Sequence, residues 1–169
     1  MKIPVFVSRP SNISDKQQIS LDLVLEELDA QRLEPRLLGQ SDYPTNLPLR
    51  DVLSIAHHCA GGVVLGFKQF EAEFGLWKEG TDKKRLQETP VKFPTPWNHL
   101  EAGVMYALQL PLLIFREPGI EGGIFDIGSS EAFVNEMPAG ELTDKQSEGL
   151  RHLFITWAAR VRQHYYKIN

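Results

Sequence analysis

A chain of 169 residues fits one domain of ordinary size, and a hydrophobic content of 42% is enough for a sizeable core. The formal net charge of −4, with basic residues scattered apart from Lys83, Lys84 and Arg85, speaks against direct nucleic-acid binding, which needs a clustered basic footprint. The lone cysteine, Cys59, excludes an intramolecular disulfide framework. No run approaches the roughly 18 apolar residues of a membrane span, and the N-terminal apolar run is too short for a signal-peptide core, so a cytoplasmic protein without a membrane partner is expected.

Residues 3–8, "IPVFVS", read as a buried strand that ends at Ser-Arg-Pro. Asp15 to Gln31 carries Ile19, Leu23, Val24 and Leu28 at helical spacing, and "LEPRLLG", 33–39, reads as a second strand closed by Gly39. Leu49 to Cys59 forms a helical stripe with Pro48 suited to its first turn, and "GGVVLGF", 61–67, is a fully apolar strand. Residues 68–96 show no clean period and hold Pro90, Pro94 and Pro96. A connection this long, containing Phe70, Phe74 and Trp77, predicts a lid that packs on something.

Next come a helix over 99–109 and a strand over 110–115, then a Gly-rich stretch with a short strand predicted at Gly123 to Phe125. A C-terminal helix over 143–166 sets Leu150, Phe154, Trp157, Val161 and Tyr165 on one face. Strands alternating with helices predict an α/β fold: a parallel sheet of about five strands with helices on both faces, forming a single domain over 1–169.

In such a sheet the ligand site lies outside the carboxyl ends of the strands, which gathers Ser8, Arg9, Phe67, the 68–96 segment and the turn from Trp97 to Glu101 at one edge. Glu101 has two readings there. Asn98 stands as a candidate N-cap with Glu101 three residues later, the spacing at which an acid reaches back to the cap N–H. Alternatively, Trp97, Glu101 and Met105 share one i, i+4 row while Leu100, Val104, Ala107 and Leu108 form the core stripe, which puts Glu101 on the border of a pocket.

Ser8 and Arg9 divide in the same way, between a satisfied loop with a surface cation and a phosphate or ribose contact. His57 and His58 point about 100° apart with no third ligand in sight, so no metal site is expected. Ser54 lacks a nucleophile elbow, and Gly61-Gly62 and Gly122-Gly123 match neither a P-loop nor a dinucleotide fingerprint.

The stretch "WNHLEAGVMYALQLPLLIF" resembles the helix-strand signature of the nucleoside 2-deoxyribosyltransferase-like and TIR-like superfamily, written roughly E-x-G-x-A-x-A-x-x-x-P-hydrophobic. Glu101, Gly103, Ala107 and Pro111 fall on it, whereas Met105 stands where a small residue is commonest. "VFVSRP" and "LRDVLSIAHHCAGGVVLGF" look like the family's first strand and its next helix-strand unit, so the resemblance spans about residues 3–116. It implies a flavodoxin-like fold with Glu101 as the carboxylate of N-glycosidic bond cleavage. No Asp-Gly-Gly-Thr-like nucleoside turn precedes Glu101; "KFPTPWNH" stands there.

Nicotinamide in NAD is already cationic and leaves without protonation, so one carboxylate suffices. The expectation is therefore a glycohydrolase of NAD or a related nucleotide, with NAD as substrate and no cofactor. Trp77 or Trp97 would stack on a ring, and Ser8 and Arg9 would hold phosphates. The resemblance further implies a bacterial defence or signalling effector that works as a homo-oligomer or on a trigger. Two alternatives stand beside it: a 2-deoxynucleotide hydrolase or deoxyribosyltransferase, and a non-catalytic nucleotide-binding or assembly module.

Overall fold

Strands and helices alternate through the computed structural model, which describes residues 2–38, 47–128, 132 and 134–168. They are β1 (Ile3–Ser8), α1 (Asp15–Ala30), β2 (Leu33–Arg36), α2 (Pro48–His57), β3 (Gly62–Gly66), β4 (Phe70–Ala72), β5 (Gly75–Trp77), β6 (Arg85–Gln87), β7 (Val91–Phe93), α3 (Pro96–Ala107), β8 (Leu112–Arg116), β9 (Val134–Glu136) and α4 (Asp144–Ile168). The main sheet has the order β2-β1-β3-β8-β9 with every pairing parallel, a flavodoxin-like three-layer sandwich. Gly39, expected to close the second strand, lies outside the described residues.

Period-two alternation divides the core. Val5, Val7, Val63, Leu65, Phe67, Leu113 and Phe115 face α1 and α4, while Phe6, Val64 and Ile114 face α2 and α3. The two helices on the first face begin alike. Ser14 and Gln17 form a reciprocal capping box on α1, and Thr143 and Gln146 do the same on α4. The expected stripe on α4 is the buried one, with Phe154, Trp157 and Val161 in the core and the Trp157 indole donating to the Pro111 carbonyl at 3.1 Å. Among the described residues, no helix is long and apolar enough to cross a membrane.

Two expectations are corrected here. Gly123 to Phe125 is a single 3-10 turn, because Gly122 (φ 96°) and Gly123 (φ 59°) are left-handed and the Arg116 guanidinium gathers the carbonyls of Ile120 and Phe125. The fifth strand is Val134–Glu136, paired with β8. Phe67, expected at the pocket, follows β3 and is fully buried against the α1/α4 layer.

The 68–96 segment is also more regular than its sequence implies. β4 pairs with β7 and β5 with β6, both antiparallel, and the second ribbon folds back so that the Trp77 ring lies 6.2 Å from Phe93, which stacks on Phe70. Arg85 covers Trp77, whose indole N–H donates to Gln87. The arm packs on itself, and Phe74 stays 78% exposed at its corner.

Gly66, the last residue of β3, meets the Phe125 ring: a Cβ there would lie 2.5 Å from it. Gly66→Ala is therefore expected to lower stability by about 1–3 kcal/mol, with partial recovery when combined with Phe125→Leu. Gly75→Ala, facing open space, should be near neutral. Thermal unfolding of the three variants checks this, and an unchanged melting point for Gly66→Ala would contradict the close approach.

Candidate active site

The chain moves outward in one direction from β1 to β2, and in the other from β3 through β8 to β9. The topological switch point therefore falls between β1 and β3, at whose carboxyl edge ligands of open α/β sheets bind. Ser8 is the last residue of β1, on the face toward α3. The arm leaves the sheet after β3 and returns directly into α3, so the first turns of α3 stand over that edge.

α3 starts earlier than its sequence suggested. Thr95, not Asn98, is the N-cap: its hydroxyl accepts the Trp97 N–H at 3.4 Å, and Pro96 opens the helix where a missing N–H costs nothing. The Asn98 N–H donates to the Thr95 carbonyl, so it does not serve Glu101 as a cap would require. The helix also buries a different face. Asn98, Glu101, Ala102 and Met105 point inward, while Leu100, expected in the core stripe, is 49% exposed.

Polar side chains thus occupy core positions. Ser8, Asn98 and Glu101 are 1%, 0% and 6% exposed. Asn98 Nδ2 donates to Ser8 Oγ at 2.8 Å, and the Ser8 hydroxyl donates to the Glu101 carboxylate. A hydroxyl has one proton, so its use toward Glu101 requires Asn98 to present its NH₂ to Ser8. Asn98 Oδ1 is then left without a donor among the described residues, a cost of about 1–3 kcal/mol for a buried acceptor. Burial pushes the Glu101 carboxyl up to about 7, and the Ser8 hydrogen bond only partly opposes this.

The other expected residues are spread around the same edge. Arg9 follows Ser8, but its guanidinium bends back to the carbonyls of Pro10 (2.7 Å) and Ser11 (3.3 Å), and burial lowers its pKa. Trp97 is exposed on the first turn of α3, and Trp77 belongs to the folded arm. His57 and His58 lie exposed at the end of α2.

A polar clamp absent from the expectations fixes the arm's root. The Glu117 carboxylate, just past β8, accepts from the Lys68 N–H and from Gln17 Nε2, which also reaches the Lys68 carbonyl. His99 packs edge-on against Phe125 at 5.4 Å, and burial lowers its pKa while Asp126 opposes that. A cavity of about 610 Å³, lined by Leu110, Leu112 and Arg160 among others, opens at the opposite edge of the sheet and does not include Glu101.

No protein-family model matches the chain, and no curated protein is significantly similar to it.

Chemically, the arrangement offers a carboxyl poised between its two protonation states near neutral pH, beside two neutral polar groups. Its folded pKa lies above the 4.5 of an ordinary glutamate, so the folded state keeps a proton that the unfolded state releases. The stability this gives is complete below pH 4.5 and is lost as pH rises through about 7. Glu101→Gln should therefore match the wild type in acid and exceed it at pH 8, by up to about 3 kcal/mol. Chemical denaturation at the two pH values measures this, and a difference independent of pH would contradict the burial of an ionisable Glu101.

Proposed function

We propose that the protein cleaves an N-glycosidic bond in NAD or a related nucleotide, with Glu101 as the catalytic carboxylate. The observation that carries this reading is a nearly buried carboxyl at the topological switch point, tethered by Ser8 and titrating near pH 7. The superfamily resemblance of the α3-β8 stretch supports it independently of the geometry, since it falls on the same glutamate.

In the reaction the bond between the ribose anomeric carbon and the nicotinamide nitrogen breaks. The bonding pair leaves with the nitrogen and neutralises the pyridinium, so no acid is needed. The oxocarbenium ion left behind is stabilised by the Glu101 carboxylate, which burial keeps poorly solvated and therefore strongly interacting. Water then adds to the anomeric carbon and releases a proton, giving nicotinamide and the free sugar nucleotide. Ser8 and Asn98 hold the carboxylate in place, Trp97 is available to stack on a ring, and Arg9 would have to leave its own turn to meet a phosphate. Such chemistry on a cytoplasmic nucleotide pool would suit a bacterial defence or signalling effector.

The raised pKa also favours a second reading. A protonated Glu101 could donate to a neutral nucleobase, the requirement of a 2-deoxynucleotide hydrolase. The two differ in sign with pH. A carboxylate role predicts kcat/KM for nicotinamide release rising about tenfold between pH 6 and 8, while an acid role predicts a fall over the same range.

The deciding experiment is nicotinamide release from NAD by the concentrated purified protein, with Glu101→Gln as its pair. Release that drops at least about 100-fold in a folded Glu101→Gln protein is expected. Full activity in that variant would remove Glu101 from the chemistry.

A further inference from the structure

We infer that the cavity at the opposite edge of the sheet is a binding site for a small monocarboxylate carried on an apolar ring. The cavity exists because the two neighbours of β8 meet it at different levels. β3 pairs with β8 from Leu112 onward, whereas β9 joins only at Ile114, so the start of β8 runs past the start of its edge neighbour. The opening beside Leu112 is bounded by the last turn of α3 and by Arg160 of α4, and its volume of about 610 Å³ is that of a small-ligand site. It stands apart from Glu101 and does not depend on the glycosidase reading.

The lining divides by chemistry. Leu110, Pro111 and Leu112 supply an apolar floor, Tyr106 an aromatic ring, and Gln109 and Arg160 hydrogen-bond donors; no acid is among the described lining residues. Gln109 ends α3 in left-handed backbone, φ 57°, with its N–H on the Tyr106 carbonyl and the Leu110 N–H on that of Met105. Glycine is the residue such a turn favours, so the glutamine places an amide on the cavity wall despite backbone strain. Arg160 forms no ion pair with another described residue, and the nearest acid before it on its own helix, Glu148, lies about three turns away.

One unpaired cation over an apolar floor calls for one anion. The guanidinium fork matches a carboxylate through two parallel hydrogen bonds. A phosphate monoester carries close to two charges at neutral pH, and the second would be left uncompensated against Leu110 and Leu112 in a chain of net charge −4. A carboxylate without a body would leave the floor wet. A ring covers Leu110 and Leu112 and stacks on Tyr106, which adds apolar burial to the ion pair.

Titration of the nitrogen-15-labelled protein with naphthoate, its neutral counterpart naphthamide, and naphthyl phosphate tests this. Naphthoate is expected to bind at least about tenfold more tightly than either and to shift the amide signals of Tyr106, Gln109, Leu112 and Arg160. Arg160→Gln, at an exposed position, should bring naphthoate and naphthamide within about twofold of each other. Gln109→Gly, which suits the turn, should weaken naphthoate binding about threefold without lowering the melting point. Equal binding of naphthoate and naphthamide, tighter binding of the phosphate, or shifts confined to other parts of the chain would overturn the carboxylate site, as would binding of none of the three.

Discussion

The cost of burying one carboxyl governs this molecule. Glu101 sits on the inward face of α3, where an ionised group loses most of its hydration, and the interaction that moderates this loss is a single hydrogen bond from Ser8. Ser8 is itself held by Asn98, so the end of β1 and two successive turns of α3 converge on one hydroxyl. A carboxyl needed only to start a helix could have stayed in water. Keeping it inside, half-titrated near neutral pH and beside an acceptor with no donor among the described residues, runs against stability, which is the cost the proposed chemistry would account for.

The rest of the fold serves that convergence. β3 carries glycine at both ends, and both meet side chains from the α3 side of the sheet: Gly62 faces the Met105 sulfur and Gly66 the Phe125 ring. A β-carbon at either place would force the Met105 side chain or the Phe125 ring to move. The arm is grafted at the same edge. Its root is clamped by Gln17, Lys68 and Glu117, each from a different part of the chain, while its outer ribbons bond mostly to each other.

Much of the frame could be read from residue patterns. β1, β3 and β8 are short apolar runs, α4 keeps a clear 3.6 period, α1 keeps one at Val24 and Leu28 though Ile19 is exposed, and strand-helix alternation implied the parallel sheet. β9 was not legible because Val134–Glu136 has neither length nor alternation; its pairing with β8 makes it a strand. α3 failed in a more informative way. Of its expected core stripe Val104 and Leu108 are half-buried against the core, but Leu100 and Ala107 are exposed and the fully buried face is Asn98, Glu101, Ala102 and Met105, in which polar groups hold core positions. Periodicity assigns polar residues to solvent, so it misplaces a helix whose inward face carries Asn98 and Glu101. The Thr95-Pro96 pair did signal the true start, and reading it as cap and first residue moves Asn98 into the helix. The link from Ser8 to Asn98 spans 90 residues, and no local pattern announces it.

The claim on which everything else rests is that Glu101 is buried, bonded to Ser8 and titrates near neutrality. Carbon-13 NMR of the glutamate side-chain carboxyls across pH 3 to 9, with the Glu101 signal assigned by its loss in Glu101→Gln, reads this directly. A midpoint close to 7 that rises further in Ser8→Ala, where the opposing hydrogen bond is gone, is the expected result. A midpoint near 4.5, unmoved by Ser8→Ala, would mean a solvated carboxylate and would contradict the site described.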